Sequence, residues 1–177
     1  MKTIIITGAN SGLGFETAKK IAKSGECEII LACRSMEKAE RARAEIAEET
    51  GNQNLVTIPL DTSLLRSVRG FAQAILSQER TVDVLINNAG ISPMHSGITE
   101  DGVELVFATN HLGHFLLTNL LLPVLADDAK IFNVASDMHN PPGGIQWPGA
   151  ELLAHPQEED HHAGAIRHAG NILRRAG

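Results

Sequence analysis

The 177-residue chain contains no tyrosine, and no lysine follows Lys130. The first absence bears on the stretch IFNVASDMH, residues 131–139, which reads as a buried strand that ends by raising one small hydroxyl, Ser136. A serine at the carboxyl edge of a strand ordinarily helps a stronger acid or base, and no phenol exists in this chain for it to help. Basic runs are missing too. Fifteen Lys and Arg stand against 21 Asp and Glu, a net charge of −6. The clustered cations that bind a phosphate backbone are therefore lacking, and nucleic acid is not an expected partner. The only cysteines, Cys27 and Cys33, have no metal-type spacing and read as buried reduced thiols rather than a disulfide framework. Long apolar runs are absent as well. The N-terminal MKTIIITGAN has a short apolar core that passes straight into a glycine turn, unlike a signal peptide. HFLLTNLLLPVLA, residues 114–126, is broken by Thr118, Asn119 and Pro123, which makes it too short and too polar for a membrane span. The cytosol is the expected location.

What is present is an ordinary globular composition, 43% hydrophobic and 20% charged. One domain over residues 1–177 is expected, large enough to bury roughly 70% of its unfolded surface. The runs KTIIIT (2–7), EIILAC (28–33), NLVTIPL (54–60), VDVLIN (82–87) and AKIFNVA (129–135) read as strands. They lack in–out alternation, the pattern of a parallel sheet covered on both faces. Between them, residues 12–24, 36–50, 63–78 and 103–126 carry apolar side chains at helical spacing. Strand–helix alternation implies right-handed crossovers and a doubly wound α/β sheet of Rossmann type. The regular pattern holds over residues 2–139. Beyond it, 140–163 reads as a proline-rich loop and 164–177 as a marginal helix with a weak stripe of Ile166, Ala169, Ile172 and Leu173.

The first strand ends in TGANSGLG, residues 7–14, with Asn10, Ser11 and Leu13 between its glycines. The spacing is not G-x-G-x-x-G but serves the same physics. Gly8 permits the tight turn, Gly12 lets a pyrophosphate approach the backbone, and Gly14 lets the next helix pack close to the sheet. The positive end of that helix then faces the phosphates. The end of the second strand decides which dinucleotide fits. A carboxylate there would hold the ribose hydroxyls and repel a 2′-phosphate; instead the chain reads ACRSMEKAE, with Arg34 at the tip and Lys38 one turn on. Arginine pairs bidentately with phosphate, so NADP(H) is the expected cofactor.

TGANSGLG, LDTS (60–63), NNAG (87–90), ATNHLGHFLLT (108–118) and VASDMH (134–139) together resemble the classical short-chain dehydrogenase/reductases. ACRSMEKAERA and NHLGHFLLTNLLL are similar to the NADP-dependent branch that includes retinol dehydrogenases and protochlorophyllide reductase. The resemblance covers residues 2 to about 155. It implies that Asp61 and Thr62 sit at the adenine, that Asn88, Ala89 and Gly90 line the ribose and nicotinamide side, that Asn110 anchors a water relay, and that Ser136 is the catalytic serine. It further implies a small carbonyl or retinoid-like substrate.

The family's Y-x-x-x-K pair, the proton donor and its lysine, is not in this chain. Aligning GNIL (170–173) with the usual helix puts the two positions near Gly164 and His168, neither able to do the original work. The family's last strands and a helix that carries much of the usual dimer interface are also missing, so the chain resembles a C-terminally truncated member. An exposed edge on strand 129–135 would then invite self-association. His139, His155, His161, His162 and His168 remain as substitute acids, but HPQEEDHH reads as a solvated loop, and no metal site is expected. Three readings stand: an NADP(H)-dependent oxidoreductase impaired by the missing pair, a non-catalytic NADP(H)-binding module, and a truncated or frame-shifted inactive product.

Overall fold

A computed structural model describes residues 1–92 and 97–135. Ser136, the expected loop 140–163, the expected marginal helix 164–177 and the histidines from His139 onward lie outside the described residues. The elements run β1 (Lys2–Thr7), α1 (Gly12–Ala22), β2 (Cys27–Cys33), α2 (Met36–Thr50), β3 (Leu55–Pro59), α3 (Leu65–Leu76) and β4 (Val82–Asn87). Then come α4 (Leu105–Phe107), a π-helical segment (Ala108–Leu112), α5 (Gly113–Leu121), a 3-10 turn (Leu122–Val124) and β5 (Leu125–Asn133). The five strands form one parallel sheet in the order β3-β2-β1-β4-β5, the doubly wound arrangement expected.

The burial explains why the strands lack alternation. In β1, Ile4 and Ile6 enter the core shared with Ala18, Ala22 and Ile46 of α1 and α2, while Ile5 enters the opposite core with Val68, Phe71 and Leu117 of α3 and α5. Successive residues thus fill two separate cores. Local chemistry sets both ends of α2. The Ser35 side chain accepts from the Lys38 amide at the start of α2, and Gly51 closes it with φ 76°, a left-handed conformation that suits glycine. α3 starts later than the helical spacing predicts. The carboxylate of Asp61 accepts from the Ser63 amide (2.9 Å) and hydroxyl (2.6 Å), which holds the LDTS loop in a turn.

The expected helix 103–126 is one continuous run interrupted by the π segment. Glu104 begins it as a buried cap, its carboxylate accepting from Val106 N (3.0 Å) and Phe107 N (2.6 Å). By length and apolar content alone, Leu105–Val124 is long enough to cross a membrane. Here its inner face, through Leu117 and Leu121, is part of the sheet core. The last strand also differs from expectation: it spans Leu125–Asn133 rather than 129–135. Leu125 pairs with Val82, a register shift follows, and Lys130 to Asn133 pair with Val84 to Asn87. Pairing stops where β4 ends. Among the described residues no strand pairs with the outer side of β5, and Ile131, Phe132 and the following Val134 are exposed.

Candidate functional site

Four strand ends meet at one side of the sheet, and the order in which strands are added reverses between β1 and β4. A crevice at such a switch point is where open α/β sheets hold ligands. It is a cleft of about 490 Å³ walled by Gly8, Asn10, Ser11 and Leu13 after β1 and by Arg34, Ser35 and Lys38 after β2. Leu60, Asp61 and Thr62 follow from β3; Asn88, Ala89, Gly90 and Ile91 follow from β4. Thr109 and Val134 complete it. Every expected cofactor residue except Gly12 and Gly14 is therefore in the wall.

Gly14 shapes the wall from behind, whereas Gly12, with φ 55°, faces open space. A β-carbon at Gly14 would lie 2.5 Å from the Gly8 carbonyl oxygen and 2.5 Å from Asn88 Nδ2, so the helix can approach the loop only without a side chain. Gly8 has φ 67° and turns the chain off β1. No side chain caps α1, because Ser11 makes no capping bond, so its first amides remain available to an anion. The tip of β2 is uncharged. Burial pushes the Cys33 thiol up to about 11, against the opposing pull of the Ala9 and Asn10 amides. Arg34 and Lys38 are exposed beyond it, and neither side chain has an ion pair among the described residues.

The NNAG turn is held from below by Thr7. Its hydroxyl oxygen accepts from Asn88 N (2.9 Å) and Ala89 N (2.8 Å), and Asn88 Nδ2 donates to the Thr7 carbonyl (2.8 Å). The far end of the turn is held by Asn110. Its Oδ1 accepts from Ile91 N (2.9 Å) and its Nδ2 donates to Ile91 O (3.0 Å). Asn110 lies behind the cleft wall, in the π segment, and faces a second cavity of about 260 Å³ with Asn87, His111 and His114. One donor and one acceptor position of its side chain are taken by Ile91. Its main-chain carbonyl lies 3.3 Å from His114 Nδ1. Ser136 lies outside the described residues, two positions after Val134.

Sequence reasoning missed His114, Ser35, Ile91 and Thr109. His114 is buried on a helix, where a histidine carries no periodic signal of its own; burial holds its pKa down to about 4, with His111 adding in the same direction and the Asn110 carbonyl opposing.

A family model described as short chain dehydrogenase matches residues 2–146. The chain belongs to the short-chain dehydrogenase family. Human retinol dehydrogenase 13 is 50% identical over 140 residues, covering 78% of this chain and 42% of that protein. Human retinol dehydrogenase 11 is 46% identical over 141 residues, covering 78% and 44%. The chain thus spans under half the length of the curated relatives it matches. Among solved structures, an uncharacterized protein from Mycobacterium paratuberculosis superposes with a TM-score of 0.72 at 36% identity, over 99% of this chain and 62% of that one. A citronellol catabolism dehydrogenase from Pseudomonas aeruginosa gives a TM-score of 0.71 at 28% identity, over 99% and 65%. The short-chain dehydrogenase fold accounts for the parallel sheet and the position of its crevice.

Proposed function

We propose that this chain binds NADP(H) in the crevice between TGANSGLG and NNAG, and that its own hydride transfer is impaired. The observation that carries the cofactor choice is the uncharged tip of β2, followed at the mouth of the cleft by Arg34 and Lys38. A carboxylate at that tip would repel a 2′-phosphate; a guanidinium attracts it. The cleft fits the rest of the dinucleotide. The amides of the glycine loop and of α1 take the pyrophosphate, Asp61 and Thr62 the adenine, and Asn88, Ala89 and Gly90 the nicotinamide side. The dinucleotide would supply the hydride for a carbonyl or polarised double bond. Relatives named as retinol dehydrogenases suggest a retinoid-like substrate.

Ser136 would orient the substrate oxygen, and Asn110 would anchor the proton path through its main chain. The oxygen still needs a proton and compensating positive charge, and this chain has no tyrosine and no lysine after Lys130. Positioned acid–base groups supply roughly 10²–10⁴-fold, or about 3–5 kcal/mol.

Titration with NADPH and NADH tests the cofactor choice. NADPH is expected to bind tighter, and Arg34→Asp to cost on the order of 1–3 kcal/mol for NADPH alone. Equal affinities, unchanged by the substitution, would refute it. Turnover is followed by absorbance loss of NADPH with retinaldehyde-like and small aromatic carbonyls. Rates far below about 1 s⁻¹ are expected. An ordinary rate would mean that a replacement acid exists, and His139 and His168 would be the first side chains to replace.

A further inference from the structure

His114 lies beneath the crevice rather than in its wall, and its two ring nitrogens face partners from opposite sides. Nδ1 is 3.3 Å from the Asn110 carbonyl oxygen, and Nε2 is 2.9 Å from the Thr7 hydroxyl. We propose that His114 is a positioning residue for the nicotinamide end of the crevice: as a neutral imidazole with its proton on Nδ1, it latches Thr7 of β1 to Asn110 of the π segment and so fixes both ends of the turn 88–91. The inference rests on the NADP(H) reading above.

Proton counting assigns the tautomer. A carbonyl oxygen can only accept, so Nδ1 must carry the hydrogen that faces Asn110. Nε2 then presents a lone pair, which the Thr7 O–H fills. The Thr7 oxygen keeps two lone pairs, and two amides claim them, Asn88 N at 2.9 Å and Ala89 N at 2.8 Å. Every valence of the hydroxyl is used once. The other tautomer fails on both sides. With hydrogen on Nε2, three donors would compete for two lone pairs of Thr7, and the bare Nδ1 would face the Asn110 carbonyl. An imidazolium fails at Thr7 for the same reason. The alternative acceptor for the Thr7 hydrogen, the Ile86 carbonyl, is more distant at 3.4 Å. Burial independently favours the uncharged ring, and His111 is the titratable neighbour that acts in the same direction.

The consequence is positional. Thr7 sets Asn88 and Ala89, and Asn110 sets Ile91 through its two side-chain bonds. Joining Thr7 to Asn110 therefore fixes the turn as one rigid piece against the π segment. Arg34 and Asp61 at the adenosine end belong to other strand ends, β2 and β3, and share no bond with His114.

Two measurements on the full chain test the latch. Long-range ¹H–¹⁵N correlation of the imidazole reads the tautomer without any ligand; hydrogen on Nδ1 at pH 6.5 is expected, and hydrogen on Nε2 or on both nitrogens would overturn the proposal. Nucleotide titration of His114→Phe, which fills the space without polar atoms, reads the function. NADPH affinity should fall roughly tenfold while adenosine 2′,5′-bisphosphate, which lacks the nicotinamide half, binds as before. His114→Gln, whose amide oxygen can accept from Thr7, should recover most of the loss and serves if the Phe variant does not fold. Equal loss for both nucleotides would mean general damage and would overturn the latch, as would no loss for either. Failure of the unaltered chain to bind either nucleotide would overturn the NADP(H) reading instead, and the tautomer would still decide the latch.

Discussion

The same substitution at two helical glycines is expected to change stability in opposite directions. Gly70 lies on the exposed face of α3, with nothing within 4 Å of a built β-carbon. Alanine there removes a glycine from a helix interior and should stabilise by about 0.5–1 kcal/mol. Gly113 occupies an equally helical position, between the π segment and α5, so the same propensity gain applies. Its surroundings reverse the sign. A β-carbon at Gly113 would lie 2.0 Å from the Thr62 carbonyl oxygen, 2.8 Å from its carbonyl carbon and 2.9 Å from its Cβ. Ordinary contact begins beyond 3.4 Å, so the backbone of the LDTS loop or the helix must move by more than an ångström. The obstacle is main chain and cannot rotate away. Overpacking of this kind costs roughly 1–3 kcal/mol, sometimes more, which outweighs a propensity gain below about 1 kcal/mol. Net destabilisation on the order of 1–2 kcal/mol is expected for Gly113→Ala. Urea unfolding of both variants reads the difference as shifted midpoints at unchanged slope. A Gly113→Ala protein as stable as the Gly70→Ala protein would refute the claim that α5 rests on Thr62 through the missing side chain.

Acid should destabilise the chain through His114. Its folded pKa, about 4, lies below its ordinary 6.5 because the ring is buried, so the unfolded chain binds the extra proton between those values. The contribution is fully present above pH 6.5 and is lost as pH falls toward 4; at about 1.4 kcal/mol per pH unit it amounts to about 3 kcal/mol. Denaturant midpoints at several pH values should fall more steeply for the parent than for His114→Gln, and parallel profiles would contradict the assignment. The chain is also expected to self-associate through β5, where Phe132 is 55% exposed beside Ile131 and Val134. Phe132→Lys should shift sedimentation toward monomer, and a parent chain already monomeric at all concentrations would dismiss that edge as a contact.

Much of this protein was decided by the sequence in short windows. The glycine loop announced a turn because Gly8 and Gly12 adopt positive φ, which few other residues tolerate. The strands announced a doubly covered sheet because consecutive isoleucines such as Ile4, Ile5 and Ile6 fill cores on both faces. Arg34 after the uncharged end of β2 was legible for the same reason, since a strand tip and its first loop residue are neighbours in the chain. The absence of tyrosine is a fact of composition. Tertiary structure alone decided the rest. Thr7 and His114 are 107 residues apart and Asn110 and Ile91 are 19 apart, and no local pattern encodes such meetings. The π segment, the approach of Gly113 to Thr62 and the pairing of the Asn110 side chain with Ile91 all depend on where one helix settles against two loops. The reason is physical: a conformational preference acts within one turn of chain, whereas a hydrogen bond between distant residues exists only after packing has brought both partners out of water and into the same place.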